Sequence, residues 1–394
     1  MNCIRKAVSA LEGAVFLAVC CLGPAFAATT TVSNGDAFRK AVAAAKPGDR
    51  ILLEPGTYQG VFYFERIKGA PAHPIIIGAA DPKRPPIIRG GTEAMHLTSV
   101  AHLELRDLII EGAKVNGLNA DDGGSYQNRT HHLTLRNLLV RSTGPSGGGN
   151  GIKLSGVDES TVVNCTVEGW PQNGCAIDMV GCHRVQILGC TFRNGGAVGI
   201  QAKGGSEDVR IRRCLFEGSG ERAVNAGGST GMSFFRPKPQ WFEARNIIVE
   251  GCVFIGWRTP IAFVGIDGGV FRYNTVYRPK RWALRILQET VAPGFVPSRN
   301  GVYSDNIVVF RSDEMVDAVN IGPNTAPSTF RFARNLWYCI DSPGRSKPSL
   351  PTAEKDGIYG KDPLLKDPSR GDFGVRQGSP AAKIGAHALP NGQK

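Results

Sequence analysis

Beyond Leu22 the chain lacks any apolar run long enough to cross a membrane, which excludes an integral membrane helix after that point. It lacks a sustained 3.6-residue hydrophobic period, which excludes a helix bundle and argues against helical repeats. Acidic residues are in deficit, 34 against 46 Lys and Arg, giving a formal charge of +12. The basic residues are dispersed, and without a basic cluster nucleic acid is not an expected partner. What is abundant is turn chemistry, 50 Gly and 25 Pro, in a chain that is 42% hydrophobic and therefore builds a core.

The stretch Leu11 to Leu22, with Arg5 and Lys6 before it and Ala25-Phe26-Ala27 after it, reads as an export signal over residues 1–27. The expectation is a periplasmic, cell-surface or secreted protein with one domain over 28–394. Cys3, Cys20 and Cys21 would leave with the signal. Seven cysteines remain, an odd count that cannot all pair.

The sequence repeats itself. Leu105-Arg106-Asp107-Leu108, Leu135-Arg136-Asn137-Leu138, Val162-Val163-Asn164-Cys165, Ile187-Leu188-Gly189-Cys190, Ile211-Arg212-Arg213-Cys214 and Val249-Glu250-Gly251-Cys252 share a template. Phe271 to Asn274, Tyr303 to Asn306 and Phe332 to Asn335 continue it, at intervals of 22 to 38 residues. Constant short strands with variable connections predict an all-β parallel β-helix, a solenoid in which loops vary at the corners. A helix over 36–45, stopped by Pro47-Gly48, would cap its first coil within an N-terminal cap of about 32–60. An irregular closing segment is expected over about 341–394.

The fourth template position places Leu108, Leu138, Cys165, Cys190, Cys214, Cys252, Asn274, Asn306 and Asn335 in one inward column. The expectation is four stacked reduced thiols followed by an amide ladder. Cys175, Cys182 and Cys339 fall outside it, and a bond between Cys175 and Cys182 stays open.

A second strand family is Gly117 to Asp121, Gly151 to Ser155, Ala176 to Val180, Gly199 to Lys203 and Ala223 to Gly227, with Ala283 to Leu287. Leu118, Ile152, Ile177, Ile200, Val224 and Leu284 should face in. Alternation then turns Asn119, Lys153, Asp178, Gln201, Asn225 and Arg285 outward in one stripe, with Asp121, Ser155 and Lys203 two positions on. Trp170, Arg222, Trp257, Arg258, Arg281 and Trp282 are expected at the corners before these strands. Aromatic and Arg side chains beside a polar groove suit sugar rings and carboxylates. The longest insertion, between Cys214 and Cys252, carries Phe234-Phe235-Arg236 and Trp241 and should overlie the working face.

The stretch Ala45 to Tyr58 resembles the opening coil of the pectate-lyase-like superfamily of right-handed parallel β-helix proteins. Asp362-Pro363-Leu364-Leu365 with Gly378-Ser379-Pro380-Ala381 resembles its closing segment. Within that superfamily Ile200-Gln201-Ala202-Lys203-Gly204-Gly205-Ser206 resembles the alginate lyase and chondroitinase B-like group, where a Lys is the base and an Arg the acid on neighbouring coils. The resemblance implies Lys203 as base. The next coil offers Arg222, without that group's Arg-His-Gly pattern. Calcium is the one cofactor the resemblance brings into consideration, and the acidic pair that binds it in that group is replaced here by Gly199 and Gln201.

A uronate lyase must neutralise a carboxylate, remove the adjacent proton and release the C4 oxygen. Lys203 and Arg222 are the expected catalytic residues. Asn119, Lys153, Asp178, Gln201, Asn225, Arg236, Trp257, Arg281, Trp282 and Arg285 are the expected substrate contacts. The substrate would be an acidic polysaccharide or oligosaccharide, met by a monomer. Glycoside hydrolysis would draw instead on Asp121, Asp122, Asp178 and Asp267. A C5-epimerase would use the same proton abstraction, and a non-catalytic glycan-binding surface protein would use the same groove.

Overall fold

The computed structural model describes residues 27–389 except 219, 239 and 316; the expected export signal over 1–27 lies outside the described residues apart from residue 27. The chain winds as a right-handed parallel β-helix whose coils contribute to three parallel sheets of fifteen, twelve and ten strands. Among the described residues no helix is long and apolar enough to cross a membrane.

The template has a backbone cause. Its third position, Asp107, Asn137, Asn164, Gly189, Arg213, Gly251, Tyr273, Asp305 and Arg334, is left-handed at every coil, with φ from 52° to 65°. That single bend turns the chain from the fifteen-stranded to the twelve-stranded sheet and throws the next side chain inward. Asn, Asp and Gly tolerate the conformation; Arg213, Tyr273 and Arg334 adopt it at a cost offset by the surrounding stack.

The inward column stacks as expected. Cys165, Cys190, Cys214 and Cys252 are buried, and all seven described cysteines are free thiols, Cys175 and Cys182 included. Hydrogen bonding within the thiol stack and burial push the Cys165 pKa up, and burial pushes Cys182 up to about 12. The amides follow: Asn274 Nδ2 donates to Asn306 Oδ1 at 3.2 Å and Asn306 Nδ2 to Asn335 Oδ1 at 2.8 Å. Glu354 ends the ladder by accepting from Asn335 Nδ2 at 2.7 Å.

The capping helix α1 spans Gly35–Ala44, one residue from the expected span. Asn34 caps it, its side chain accepting from the Ala37 N–H at 2.9 Å. Its buried face, Phe38 and Val42, closes the open end of the coil, with Phe38 packed on Tyr58, Phe62 and Phe64. At the other end, Glu354–Lys355 and Ile358–Tyr359 still extend two of the sheets, and Leu365–Asp367 pairs antiparallel with Asp372–Val375. The tail then runs back along the twelve-stranded sheet, where Ala381 and Ile384 pack on Ile307, Val309 and Leu336.

Candidate functional site

The outer face of the ten-stranded sheet carries the polar stripe in continuous register. Tyr63, His96, Asn119, Lys153, Asp178, Gln201, Asn225, Ala262, Arg285 and Asn320 are Cα partners from coil to coil. The six residues expected there are all present. Ala262 interrupts them, buried with Val264 and Leu287 in a small apolar cluster.

The central segment holds the expected catalytic pair. Lys153 forms an ion pair with Asp178, which leaves it committed. Lys203 Nζ has no hydrogen-bond or ion-pair partner among the described residues. Its stem converges with two stripe amides: a Cβ at Gly228 would lie 2.5 Å from Gln201 Nε2, 3.3 Å from Lys203 Cδ and 3.5 Å from Asn225 Nδ2. With φ at +153°, Gly228 makes this approach without a side chain in the way. Arg222 does not sit in the turn as expected. It opens the strand Arg222–Gly227, paired with Val198, because the strand begins before its alternating core. From there its guanidinium donates to Asn225 Oδ1 at 3.0 Å and to Glu289 at 2.8 Å. Asn225 thus links the Lys203 neighbourhood to Arg222.

The downstream segment is cationic. Arg281 and Arg285 both lie over the Trp282 ring, at 4.2 and 4.5 Å from its centroid. Arg285 also donates to Asn320 at 2.9 Å. Burial and then the charge of Arg222 lower the Arg285 pKa, so these guanidinium groups crowd one another.

In the upstream segment Asn119 and Asp121 stand on the face expected of them, whereas His96 and Glu93 carry no expectation from the sequence. The His96 ring bridges two carboxylates, Nδ1 to Glu93 and Nε2 to Asp121, both at 2.7 Å. The bond to Asp121 and then that to Glu93 raise the His96 pKa to about 9. Burial opposes ionisation of Glu93 and Asp121, but the bonds to His96 prevail and both pKa values are lowered. Asn116 donates to Glu93 at 2.7 Å. Alternation in Ala94-Met95-His96-Leu97-Thr98 is the signal that would have placed this strand in the family. Asn119 Oδ1 and Asp178 Oδ1 are buried without a partner, a condition that a ligand hydroxyl or an ordered water relieves.

Two expected contacts are excluded or diverted. Trp257 is 2% exposed, stacked on Trp170 at 6.3 Å, and fills the space above Gly220, so it packs the corner and does not face the groove. Arg236 donates to the buried Asp122 at 2.6 and 3.3 Å, anchoring the insertion along the edge of the sheet. That insertion carries exposed Met232, Phe234 and Trp241. It is pinned again by the buried Glu243, which accepts from the Gly204 N–H at 2.9 Å and the Thr230 N–H at 2.7 Å.

The carboxylates considered for hydrolysis are likewise committed. Asp122 serves Arg236, Asp178 serves Lys153, Asp121 serves His96, and Asp267 lies on the fifteen-stranded sheet bonded to Arg299 at 2.7 Å. Calcium requires oxygen ligands, and Glu93 and Asp121, the paired carboxylates of the stripe, are both bonded to a positively charged imidazole. The donor set does not fit that ion.

Residues 93–281 match the family described as the right handed beta helix region. An alginate lyase from Paenibacillus sp. str. FPU-7 superposes with a TM-score of 0.52 at 17% identity, over 76% of this chain and 99% of its own. A rhamnogalacturonan lyase gives 0.54 at 14% identity, over 78% and 83%. A lacto-N-biosidase from Eubacterium ramulus gives 0.51 at 13% identity, over 84% and 68%. No curated protein matches the sequence. At these identities the likeness is one of fold.

Proposed function

We propose that this right-handed parallel β-helix protein is exported and cleaves an acidic, uronate-containing glycan by β-elimination on the outer face of its ten-stranded sheet. The observation that carries the reading is the convergence of an unpartnered lysine, two amides and a crowded set of guanidinium groups on one stripe. Glu289 pairs with Arg222, whereas Arg281 and Arg285 meet the Trp282 ring and Asn320 and no carboxylate among the described residues, and a uronate supplies one at each sugar. Solved structures that share this fold include proteins named as alginate and rhamnogalacturonan lyases, which supports the substrate class.

In this reading Arg222, positioned through Asn225, clamps the carboxylate and stabilises charge that develops on it. Lys203 takes the proton from C5. The electron pair forms the C4–C5 double bond as the C4–O bond breaks, and the leaving oxygen takes a proton from the Lys203 ammonium or from water. Lys153 and Asp178 orient the neighbouring sugar, and Arg281, Arg285 and Trp282 hold the next carboxylate and ring face. Hydrolysis is less well supported, because both carboxylates at His96 have lowered pKa values and neither is a ready general acid.

The test is incubation with alginate, pectate, glycosaminoglycans and neutral glycans, following unsaturated uronate by ultraviolet absorbance and reducing ends in parallel. Absorbance growth on an acidic glycan is expected. Lys203→Ala should lower kcat by about 100-fold or more while sparing most binding, as for loss of a general base. Reducing ends without absorbance would overturn elimination in favour of hydrolysis, and full activity in Lys203→Ala would remove Lys203 from the mechanism.

A further inference from the structure

A second cluster lies outside the groove, where the chain enters the fifteen-stranded sheet. His131 is the Cα partner of Ala101, and His102 and His132 follow one residue later on consecutive coils, both left-handed at φ 48° and 52°. Farther along the solenoid the equivalent corner positions are matched in charge. Arg184 donates to Glu159 at 3.1 Å, Arg245 to Glu207 at 2.7 Å and Arg299 to Asp267 at 2.7 Å. At the histidine step imidazole meets imidazole instead. The His102 and His132 rings lie 4.4 Å apart, and His131 stands edge-on to them at 5.5 and 5.1 Å. One ring nitrogen from each of the three lies within 4.8 Å of the others, and His131 Nδ1 is 2.8 Å from His132 Nδ1. On its far side His132 Nε2 stands 3.4 Å from Glu159.

We infer that His102, His131 and His132 form a binding site for a late first-row divalent cation, zinc, nickel or copper(II), with Glu159 orienting the His132 ring. Three neutral imidazoles with no carboxylate in the first ring of ligands suit these ions and not calcium or magnesium, which take oxygen. Metal-to-nitrogen bonds of about 2.1 Å in a tetrahedral site set the nitrogens roughly 3.4 Å apart. The His131 and His132 nitrogens therefore part by about half an ångström and the other pairs close by no more than about 1.4 Å, within the range of side-chain rotation. The N–H now shared between His131 and His132 moves to the far nitrogen of its ring, and water fills the remaining position. The carboxylate behind His132 is the outer partner that metal-bound imidazoles commonly use to fix ring orientation. Arg129, two residues before His131, has its charge taken up by Asp158 at 2.8 Å. A bound ion would join two successive coils at the start of the solenoid.

The test uses the tag-free chain and zinc chloride in a non-chelating buffer, by titration calorimetry, with cobalt(II) absorption as a report on ligand type. One ion per chain, a nitrogen-ligand cobalt spectrum and no heat with calcium or magnesium are expected. His102→Asn and His132→Asn should each weaken zinc at least tenfold; Asn tolerates the left-handed backbone, so circular dichroism should be unchanged. Glu159→Gln should weaken it about tenfold, and His387→Asn not at all. In the unmodified chain zinc should shift the imidazole resonances of three histidines and leave His96 in place. Absence of saturable one-to-one binding, affinity indifferent to both Asn variants, or no shift of these three resonances would each overturn the site.

Discussion

His96 makes a quantitative prediction about pH. Its pKa is raised from 6.5 to about 9 by the bonds to Asp121 and Glu93, in a side chain that is 22% exposed. The native state therefore holds this proton more tightly than the unfolded chain does. The resulting stability is fully present below the unfolded value of 6.5 and is lost as pH rises through about 9. The displacement corresponds to about 3 kcal/mol, an upper figure because the two carboxylates share the same proton with the ring. Glu93 and Asp121 act in the opposite sense: their lowered pKa values add stability above the ordinary carboxylate range that is lost as pH falls through the folded values. Denaturant melts of the native chain and of His96→Asn between pH 6 and pH 10 measure the effect. The native chain should lose about 2 to 3 kcal/mol more than the variant over that interval. The resonance of the His96 ring carbon proton should titrate near 9. A midpoint near 6.5, or melts that fall in parallel for the two chains, would refute the bridged geometry.

Asn306→Ala should destabilise by about 2 to 5 kcal/mol in denaturant melts, because it strands the buried Asn274 N–H and removes donors to Phe271 O and Asn335; a loss below about 1 kcal/mol would mean the ladder is not closed. Cys190→Ser should cost only about 1 kcal/mol, since carbonyls of Val162 and Leu188 already face the sulfur. A thiol reagent should find none of the seven described cysteines in the native chain and all of them after denaturation, and a mapped disulfide among them would contradict this. Arg285→Ala should weaken binding of the identified acidic glycan and reduce its salt sensitivity, measured as the slope of affinity against ionic strength. An unchanged slope would place the carboxylate elsewhere.

The coil itself was legible because a backbone constraint writes itself into sequence. The left-handed bend at Asp107, Asn137, Asn164 and their successors favours few residue types, and the position after it must fit the core, so both recur. The stripe was legible for a similar reason, alternation about Leu118, Ile152, Ile177 and Ile200. His96 escaped because its strand, Glu93–Thr98, precedes the first template copy and offered no rung against which to align it. Trp257 was misjudged because a corner side chain can turn to either side, and stacking on Trp170 decides the matter at a range of 87 residues in sequence. Arg236 and Asp122 are farther apart still, and local sequence carries no trace of that pairing. The histidine cluster depends on how two coils register at a corner, which the spacing of strands alone does not fix.

The attachment of Arg236 to Asp122 changes how this solenoid should come apart. Repeat proteins usually behave as one-dimensional chains in which each unit answers only to its neighbours, so ends fray and unfolding spreads coil by coil. Here the insertion leaves the strand Arg222–Gly227 and is bolted four strands back, beyond Val198–Lys203, Cys175–Val180 and Ile152–Ser155, to the end of Asn116–Asp121. Coils between the two anchors cannot open in sequence without also breaking that strap. They should exchange their amide hydrogens as one block, slower than the flanking coils, and Arg236→Ala should divide the block into independently opening rungs. The stretch so bound together is the one that holds Lys153, Asp178, Gln201 and Lys203, so the long-range tie adds to the strand pairing in keeping the spacing of the groove fixed across these coils.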